Sequence, residues 1–296
     1  MKQLLILSGK GGTGKTTIAS AFIRFSSAKA YADCDVDAPN LHLIAGQNAS
    51  PVKRDYYGLP KAKINPKLCT QCDLCRKNCR FGAIAVGEGY AVNPFACEGC
   101  GVCGFVCPVQ AISLSPAVAG ELMLYANPEK VFSTAQLKMG SGTSGMLVTE
   151  VKKQMKSAAA AANTMLAIID GSPGIGCPVI ASLSGVDMVL IVAEPSVSGI
   201  SDMKRIIKTA AKFGTKSAVC VNKFDTNLAN TKKIERFCRE QGLAFVGRVP
   251  FDSQAVKAVN SGMTIADIDC KSGAAAKEVY HKTMNLLFEE GGELRA

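Results

Sequence analysis

The sequence predicts an α/β fold with a mostly parallel sheet, interrupted by a small inserted α+β module. Three observations predict it. The chain opens with an apolar run at residues 3–7, a glycine-rich loop, a helix beginning at Lys15 and a second apolar run ending at Asp33. Strand and helix patterns alternate again after residue 118, and two cysteine runs lie between these regions. We therefore expect residues 1–60 and 118–296 to build one sheet around a module at 61–117.

The second region supplies the remaining strands and helices. Short apolar runs predict strands, and a single apolar face predicts helices. The expected strands are a pair within 121–138 and single strands at 165–170, 186–193, 217–221 and 245–249, and the expected helices are 147–161, 201–213, 230–241 and 272–288. Residues 51–66 are rich in Pro, Lys and Tyr without a helical period, so we expect a linker there.

Composition limits the classes of function. The chain has 296 residues and can bury a substantial core without disulfides. Its formal charge of +10 suggests acidic partners such as nucleotide phosphates, nucleic acid or an acidic redox protein. The lysines are scattered and form no basic stripe interleaved with aromatic residues, which argues against nucleic-acid binding. Neither a signal peptide nor a bilayer-spanning apolar stretch is visible, so we expect a cytoplasmic protein.

The glycine-rich loop predicts a phosphate site. Its residues match G-x-x-x-x-G-K-[ST] and are followed by Thr17: Gly9, Lys10, Gly11, Gly12, Thr13, Gly14, Lys15 and Thr16. Glycines let several backbone N–H groups converge on phosphate oxygens at the start of a helix. Lys15 is expected at the β- and γ-phosphates, Thr16 at Mg²⁺ and Thr17 at the α-phosphate. A chance glycine turn is the alternative, but the loop follows a predicted strand and opens a predicted helix.

Carboxylates follow two of the predicted strands. Asp33, Asp35 and Asp37 come after the second strand, and Asp170 ends a later one. A carboxylate on a mobile loop can orient water toward a γ-phosphate, and Asp35 is our choice for that role. Asp33 is expected near Mg²⁺ or as a support of the loop, whereas Asp37 has an alternative role as a helix N-cap or turn residue. Asp170 is expected to hold Mg²⁺ through water.

The cysteine pattern predicts two [4Fe–4S] clusters. Two C-x₂-C-x₂-C-x₃-C runs occur at one constant offset, a spacing typical of bacterial ferredoxins, in which the fourth cysteine of each run ligates the other cluster. The expected ligands are Cys69, Cys72, Cys75 and Cys107 for the first cluster, and Cys97, Cys100, Cys103 and Cys79 for the second. Zinc is the alternative, although zinc sites usually combine two separated cysteine pairs.

Five cysteines stand outside these runs. Cys220 and Cys238 lie on apolar faces and are expected to be core thiols. No partner for Cys270 is evident. Cys34 lies between two candidate catalytic aspartates, and Cys177 lies in the loop after Asp170. Either thiol could sense redox state or bind a metal, and plain packing is the alternative.

The position of Lys10 connects the motifs to a family. A lysine directly after the first glycine resembles the deviant Walker A loop of the MinD/Mrp superfamily, the nitrogenase iron protein and the arsenite-pump ATPase. The whole chain resembles MinD-superfamily P-loop ATPases that contain an inserted ferredoxin domain. This resemblance implies a nucleotide-dependent homodimer in which Lys10 reaches the partner's phosphates. It also implies ATP hydrolysis, slow without a partner, with Lys10, Lys15, Asp35 and Asp170 as catalytic residues.

The resemblance also bears on the base and on the partners. Asn222 is expected to contact the purine, and the N-K-x-D string at 222–225 by itself leaves ATP or GTP open. The loop with Pro250 and Asp252 resembles the adenine-side loop of the family and, with Lys10, favours ATP. The acidic, glycine-broken C-terminus predicts no amphipathic membrane anchor.

Three functions remain open at the sequence level. The first is an ATPase switch modulated by the redox state of the clusters, and the second is an ATP-gated electron donor to a partner protein. The third is an ATPase that delivers metal or clusters. Each of them implies a redox or cofactor-carrying partner protein.

Overall fold

The computed structural model describes residues 1–44, 50–160 and 164–289, and within them the chain forms thirteen strands, ten α-helices and one 3₁₀ turn at Phe224–Thr226. The strands are β1 (Lys2–Leu7), β2 (Ala30–Asp33), β3 (Val52–Tyr57), β4 (Lys61–Ile64), β5 (Ile84–Val86), β6 (Tyr90–Val92), β7 (Ile112–Ser115), β8 (Val118–Ala126), β9 (Val131–Leu137), β10 (Leu166–Asp170), β11 (Met188–Ala193), β12 (Lys216–Asn222) and β13 (Ala244–Val249). The helices are α1 (Lys15–Ser26), α2 (Leu41–Ile44), α3 (Leu74–Lys77), α4 (Val102–Phe105), α5 (Ser144–Ala160), α6 (Cys177–Leu183), α7 (Val197–Lys212), α8 (Leu228–Glu240), α9 (Ser253–Asn260) and α10 (Lys271–Phe288).

Nine strands form one mostly parallel sheet in the order β13-β12-β11-β1-β10-β2-β9-β8-β3. The pairings from β13 to β9 are parallel, and β8 and β3 are added by antiparallel pairing. The central strands are buried on both faces, which explains their continuous apolar runs. Side chains alternate between two cores, with Leu5 and Ile169 on one face and Leu4 and Ile168 on the other. The predicted mostly parallel α/β sheet is confirmed.

The prediction that residues 51–66 form a linker is wrong. Residues in this stretch form β3, an edge strand of the main sheet, and β4, which pairs with β7. The sequence shows no apolar run at β3, because only Tyr56 in this strand is buried, while Lys53, Arg54 and Asp55 are exposed. Charged residues are common on edge strands, where they discourage pairing with other chains.

Five short helices were also absent from the prediction: α2, α3 and α4, with four residues each, and α6 and α9, with seven and eight residues. Helix α6 begins at Cys177, with a proline in its first turn, and α9 begins after an N-cap at Asp252. Both carry recognised helix-start signals, but they are too short for a clear apolar period. Two expectations reach outside the described residues: Ala161 of the predicted helix 147–161, and residues 290–296 of the acidic C-terminus.

The cysteine-bearing residues lie between β3 and β8 and outside the main sheet. Here β4 pairs with β7 and β5 pairs with β6, with α3 and α4 between the strands. The backbone repeats at the offset of the cysteine runs. Left-handed φ values occur at Gln71 and Gly99, at Asp73 and Gly101, and at Gly82 and Gln110. The sequence repeat is therefore also a repeat of local backbone conformation.

Lys152 in α5 provides a test of how the helices are held together. Its Nζ donates to the carbonyls of Ala181 (3.3 Å), Ser182 (2.6 Å) and Ser184 (2.6 Å) at the end of α6. Helix-terminal carbonyls have no partner within their helix. Burial also lowers the pKa of Lys152 to about 8.

We expect Lys152→Met to lower the free energy of unfolding by about 1–3 kcal/mol, because the carbonyls at the end of α6 lose this donor. Lys153→Met is the matched control, since Lys153 is exposed and its ion pair among the described residues is with Glu150 at 3.8 Å. Its effect should stay below about 0.5 kcal/mol. Urea denaturation of both variants measures the difference, and equal losses would contradict the capping role of Lys152.

Candidate functional site

A cleft of about 880 Å³ lies at the carboxyl ends of the parallel strands. In open α/β sheets this edge is where ligands bind, because loops and helix N-termini meet there. The cleft brings together most of the predicted nucleotide residues from four separate parts of the chain. They are Lys10, Gly11, Gly12, Thr13, Gly14, Lys15, Thr16, Thr17, Asp35, Asn222, Pro250 and Asp252.

The loop between β1 and α1 requires glycine for two physical reasons. Gly12 and Gly14 adopt left-handed φ angles of 76° and 88°. A Cβ on Gly14 would lie 2.1 Å from the Asn222 side-chain nitrogen, and one on Gly9 would lie 2.1 Å from the Asp202 Cβ. No side chain caps the N-terminus of α1, and its first turn carries no acidic residue. The exposed N–H groups and positive helix end are therefore available to an anion.

Asp170 joins the two polar residues that open α1. Its Oδ1 accepts from Lys15 Nζ at 2.5 Å, and its Oδ2 accepts from Thr16 Oγ1 at 2.7 Å. Both Lys15 and Asp170 are buried, and a buried charge is tolerated only with a partner. The three side chains form one compact group of a cation, a hydroxyl and a carboxylate at the cleft.

Glu194 is a residue that the sequence reasoning missed. Its carboxylate follows β11 and holds Lys10 Nζ at 2.6 Å, and Ser196 Oγ accepts from the same Nζ at 3.3 Å. Lys223 Nζ lies 3.7 Å from the other oxygen of Glu194 and donates to the Gly12 carbonyl at 2.8 Å. The signal was available, because Glu194 follows a buried strand just as Asp170 ends one.

Asp33 supports the loop that carries Asp35. The Asp33 carboxylate accepts from the backbone nitrogens of Asp35 (3.0 Å), Asn40 (2.9 Å) and Leu41 (2.9 Å). Burial, and then the charge of Asp170, raises the pKa of Asp33 to about 7, against the lowering effect of Lys15 and the backbone donors. Burial also raises the pKa of Asp35, which lines the cleft. Asp37 is exposed.

The residues expected on the base side have structural contacts of their own. Asn222 Nδ2 donates to the Thr13 carbonyl at 2.7 Å, so its amide supports the phosphate loop. Asp252 caps α9 by accepting from Gln254 N and also accepts from Ser272 N at 3.1 Å. Pro250 lies in the cleft lining beside Phe251, whose backbone nitrogen donates to Asp225. The contacts of Asn222 and Asp252 explain their positions without a base.

The eight cysteines of the two runs line two separate small cavities. The first cavity is lined by Cys69, Cys72, Cys75 and Cys107, and the second by Cys79, Cys97, Cys100 and Cys103. Each cavity therefore takes three cysteines from one run and the fourth from the other. Within the described ranges, no group of three or more His, Cys, Asp or Glu side chains is arranged to hold a metal ion. The cluster assignment stays a prediction.

The fourth cysteines of the runs share one contact. Ala83 N donates to Cys79 Sγ at 3.4 Å, and Ala111 N donates to Cys107 Sγ at 3.2 Å. These residues correspond under the repeat, so the same backbone N–H points at the same sulfur in both halves. Hydrogen bonds to cluster sulfurs are one means by which proteins tune cluster potentials.

The other cysteines differ in their surroundings. Cys34 is fully buried, and burial raises the pKa of its thiol to about 12, which favours packing over redox sensing. Cys177 is exposed at the start of α6. Cys220 and Cys238 are buried in the two cores, as expected. Cys270 caps α10 by accepting from Gly273 N at 3.2 Å, a role that the sequence did not indicate.

None of the helices within residues 1–44, 50–160 and 164–289 combines the length and the apolar character that crossing a membrane requires.

The chain is similar in sequence and in fold to several known proteins. The chain is 30% identical over 295 residues to an uncharacterised protein of Methanocaldococcus jannaschii, with 95% of each chain covered. It is 21% identical to the iron-sulfur cluster carrier protein of Pyrococcus abyssi, covering 98% of this chain and 88% of that protein. Its fold is similar to the Mg-ADP complex of the septum site-determining protein MinD from Pyrococcus horikoshii, with a TM-score of 0.58, 15% identity and 97% of each chain covered.

A family model also matches most of the chain. It describes the CobQ/CobB/MinD/ParA nucleotide-binding domain and matches residues 4–265. The match contains the phosphate loop, the Asp170 strand end and the base-side residues of the cleft. The chain belongs to the CobQ/CobB/MinD/ParA family of nucleotide-binding P-loop proteins.

Proposed function

We propose that this protein is an ATPase whose nucleotide-driven dimer switching is coupled to two [4Fe–4S] clusters. One observation carries the proposal. Two cavities, each lined by one complete predicted set of four cysteines, lie in residues that leave and rejoin the nucleotide-binding sheet through β3 and β8. The same chain thus combines a P-loop cleft with two cysteine-lined cavities, and neighbouring strands connect them.

The nucleotide half of the proposal rests on the cleft. Lys15 and the N-terminus of α1 bind the β- and γ-phosphates, while Thr16 and Asp170 hold Mg²⁺, which supplies charge neutralisation when bound. Asp35 orients the attacking water from the loop that Asp33 supports. A relative in M. jannaschii, 26% identical over 97% of this chain, is named as an ATP-binding protein, in line with ATP as the nucleotide.

Lys10 connects the cleft to the proposed homodimer. Its ammonium group reaches the partner's phosphates once nucleotide is bound. In the structure it is held by Glu194 instead, so Glu194 and phosphate compete for one cation. The competition is weak enough to be reversible, because the Lys10 and Glu194 side chains are 37% and 21% exposed.

The cluster half of the proposal rests on the donor set. Thiolates are the ligands of [4Fe–4S] clusters, and the two cavities supply four each in the interleaved arrangement of bacterial ferredoxins. The clusters add one-electron capacity to the protein. A redox or cofactor-carrying partner protein is part of the proposal, since a bound electron needs a donor and an acceptor.

Cluster delivery is the second candidate function. It is favoured by the similarity to an iron-sulfur cluster carrier protein, which covers nearly the whole chain. Transfer of iron and sulfide to a cluster-free acceptor protein would favour delivery. Retention of both clusters through many ATP turnovers would favour the switch.

The cluster assignment predicts the iron content. Anaerobically purified protein should contain about eight iron and eight sulfide per chain, because each cluster is a [4Fe–4S] unit. Cys107→Ser should lower iron to about half by removing a ligand of the first cluster. Cys177→Ser changes an exposed cysteine outside both cavities and should leave iron unchanged. Zinc in place of iron would refute the assignment.

The assignment of Asp35 predicts a separation of binding from hydrolysis. Asp35→Asn should slow ATP hydrolysis by about 100-fold or more while ATP still binds, because the phosphate loop is unchanged. Asp37→Asn is the matched control, two residues away and exposed, and its rate should stay within about twofold of the parent. The reverse pattern would identify Asp37 as the water-orienting residue.

The competition for Lys10 predicts the effect of Glu194→Gln. Losing the carboxylate frees Lys10, so we expect ATP-dependent dimerisation to strengthen by up to about fivefold, the equivalent of about 1 kcal/mol for an exposed ion pair. Light scattering with MgATP measures the dimer fraction. Glu121→Gln is the control, since its 2.8 Å pair with Lys53 lies on β8 and β3 at the edge of the sheet. A weaker dimer would mean that Glu194 positions Lys10 instead.

A further inference from the structure

We propose that Glu98 and the segment 138–145, called here the bridging segment, transmit the charge state of the second cysteine site to the nucleotide cleft. This inference rests on the proposed function and assigns residues to its coupling. Glu98 is not a predicted ligand, but it lies in the second run directly after Cys97 and lines the same cavity. The bridging segment follows β9 and leads into α5.

The bridging segment contacts the second cysteine run. A Cβ on Gly142 would lie 3.3 Å from Glu98 Oε2, so that carboxylate lies against the Gly142 backbone. A Cβ on Gly140 would lie 3.3 Å from Phe95 Cδ1. The segment also meets both connections of the insert, because Lys138 N donates to Ala119 O at 2.8 Å and Thr143 Oγ1 would lie 2.8 Å from a Cβ on Gly58.

The bridging segment and the residues just before it also contact two loops of the cleft, the loop that carries Asp35 and the loop after Asp170. Just before the bridging segment, Leu137 N donates to Val36 O at 2.8 Å and Gln136 Nε2 donates to Asp37 O at 3.3 Å, on the loop that carries Asp35. A Cβ on Gly145 would lie 3.1 Å from the Cys177 carbonyl oxygen, at the end of the loop after Asp170.

The two loops are themselves joined. Ser172 Oγ donates to Cys34 O at 2.5 Å, which ties the loop after Asp170 to the loop before Asp35. Close-packed contacts of this kind transmit a displacement, since there is little free space to absorb it. A shift of the bridging segment would therefore move both the loop that carries Asp35 and the loop after Asp170.

Charge supplies the driving force. One electron from a low-potential donor changes a four-thiolate [4Fe–4S] site from about −2 to about −3. Within the described residues Glu98 makes no ion pair or hydrogen bond, and the ammonium group of Lys61 lies at the carbonyl of the neighbouring Cys97, not at the Glu98 carboxylate. Like charges repel more strongly at short distance and low dielectric. Reduction of the second site would therefore displace the Glu98 carboxylate relative to the Gly142 backbone.

The test compares oxidised and dithionite-reduced holoprotein under anaerobic conditions by hydrogen exchange of peptides covering 138–145 and 171–177. We expect reduction to change exchange in both peptides of the parent protein, and Glu98→Gln to reduce that change at least threefold. Glu88→Gln, at the tip of the β5–β6 hairpin, is the matched control and should respond like the parent. An unchanged response in Glu98→Gln, or no response in the parent, would overturn the inference.

Two further measurements keep the outcome interpretable. Gly142→Ala changes no residue of the cysteine run but places a methyl group 3.3 Å from Glu98 Oε2, and should shift exchange of the oxidised protein toward the reduced pattern. If ATP affinity changes tenfold on reduction, linkage requires MgATP to shift the midpoint potential by about 59 mV. Absence of iron or of MgATP binding in the parent would refute the proposed function itself, whereas intact clusters with no redox response would refute only this inference.

Discussion

The geometry of the cleft depends on the pairing of Asp170 with Lys15 and Thr16. A buried lysine and a buried aspartate are each unfavourable alone, and together they satisfy both charges and a hydroxyl. This pairing is possible because β1 and β10 are parallel neighbours, so that the end of β10 lies beside the loop leaving β1. The order of the central strands thus decides which side chains meet at the cleft.

The same constraint explains the use of carboxylates along this edge. Asp33, Asp170 and Glu194 each lie at or just after the carboxyl end of a parallel strand, close to a cation, a hydroxyl or free backbone N–H groups. Each carboxylate holds a different part of the site: the loop of Asp35, the start of α1, and Lys10. A bound nucleotide would enter a cleft whose cations already have internal partners, so binding involves exchanging those partners.

The insert is joined to this machinery through the antiparallel edge of the sheet. Strands β3 and β8 extend the sheet beyond β9 and carry the chain out to the cysteine-lined cavities and back. The contacts of Phe95 and Glu98 with the bridging segment then bring the second cavity into the same packed network as the loops of the cleft. The proximity is a consequence of topology, because these residues lie far apart from Asp35 and Asp170 along the chain.

The sequence by itself determined the phosphate loop, the strand-ending aspartates and the two cysteine runs, because each depends on short spacings between neighbouring residues. It also determined the parallel strands, whose burial on both faces leaves continuous apolar runs. It failed for β3, where exposed Lys53 and Arg54 mask an edge strand. Only the tertiary structure decided that Glu194 holds Lys10, that Asn222 supports Thr13 and that Glu98 lies against Gly142. These are contacts between distant segments, and strand order and packing fix them while local pattern does not.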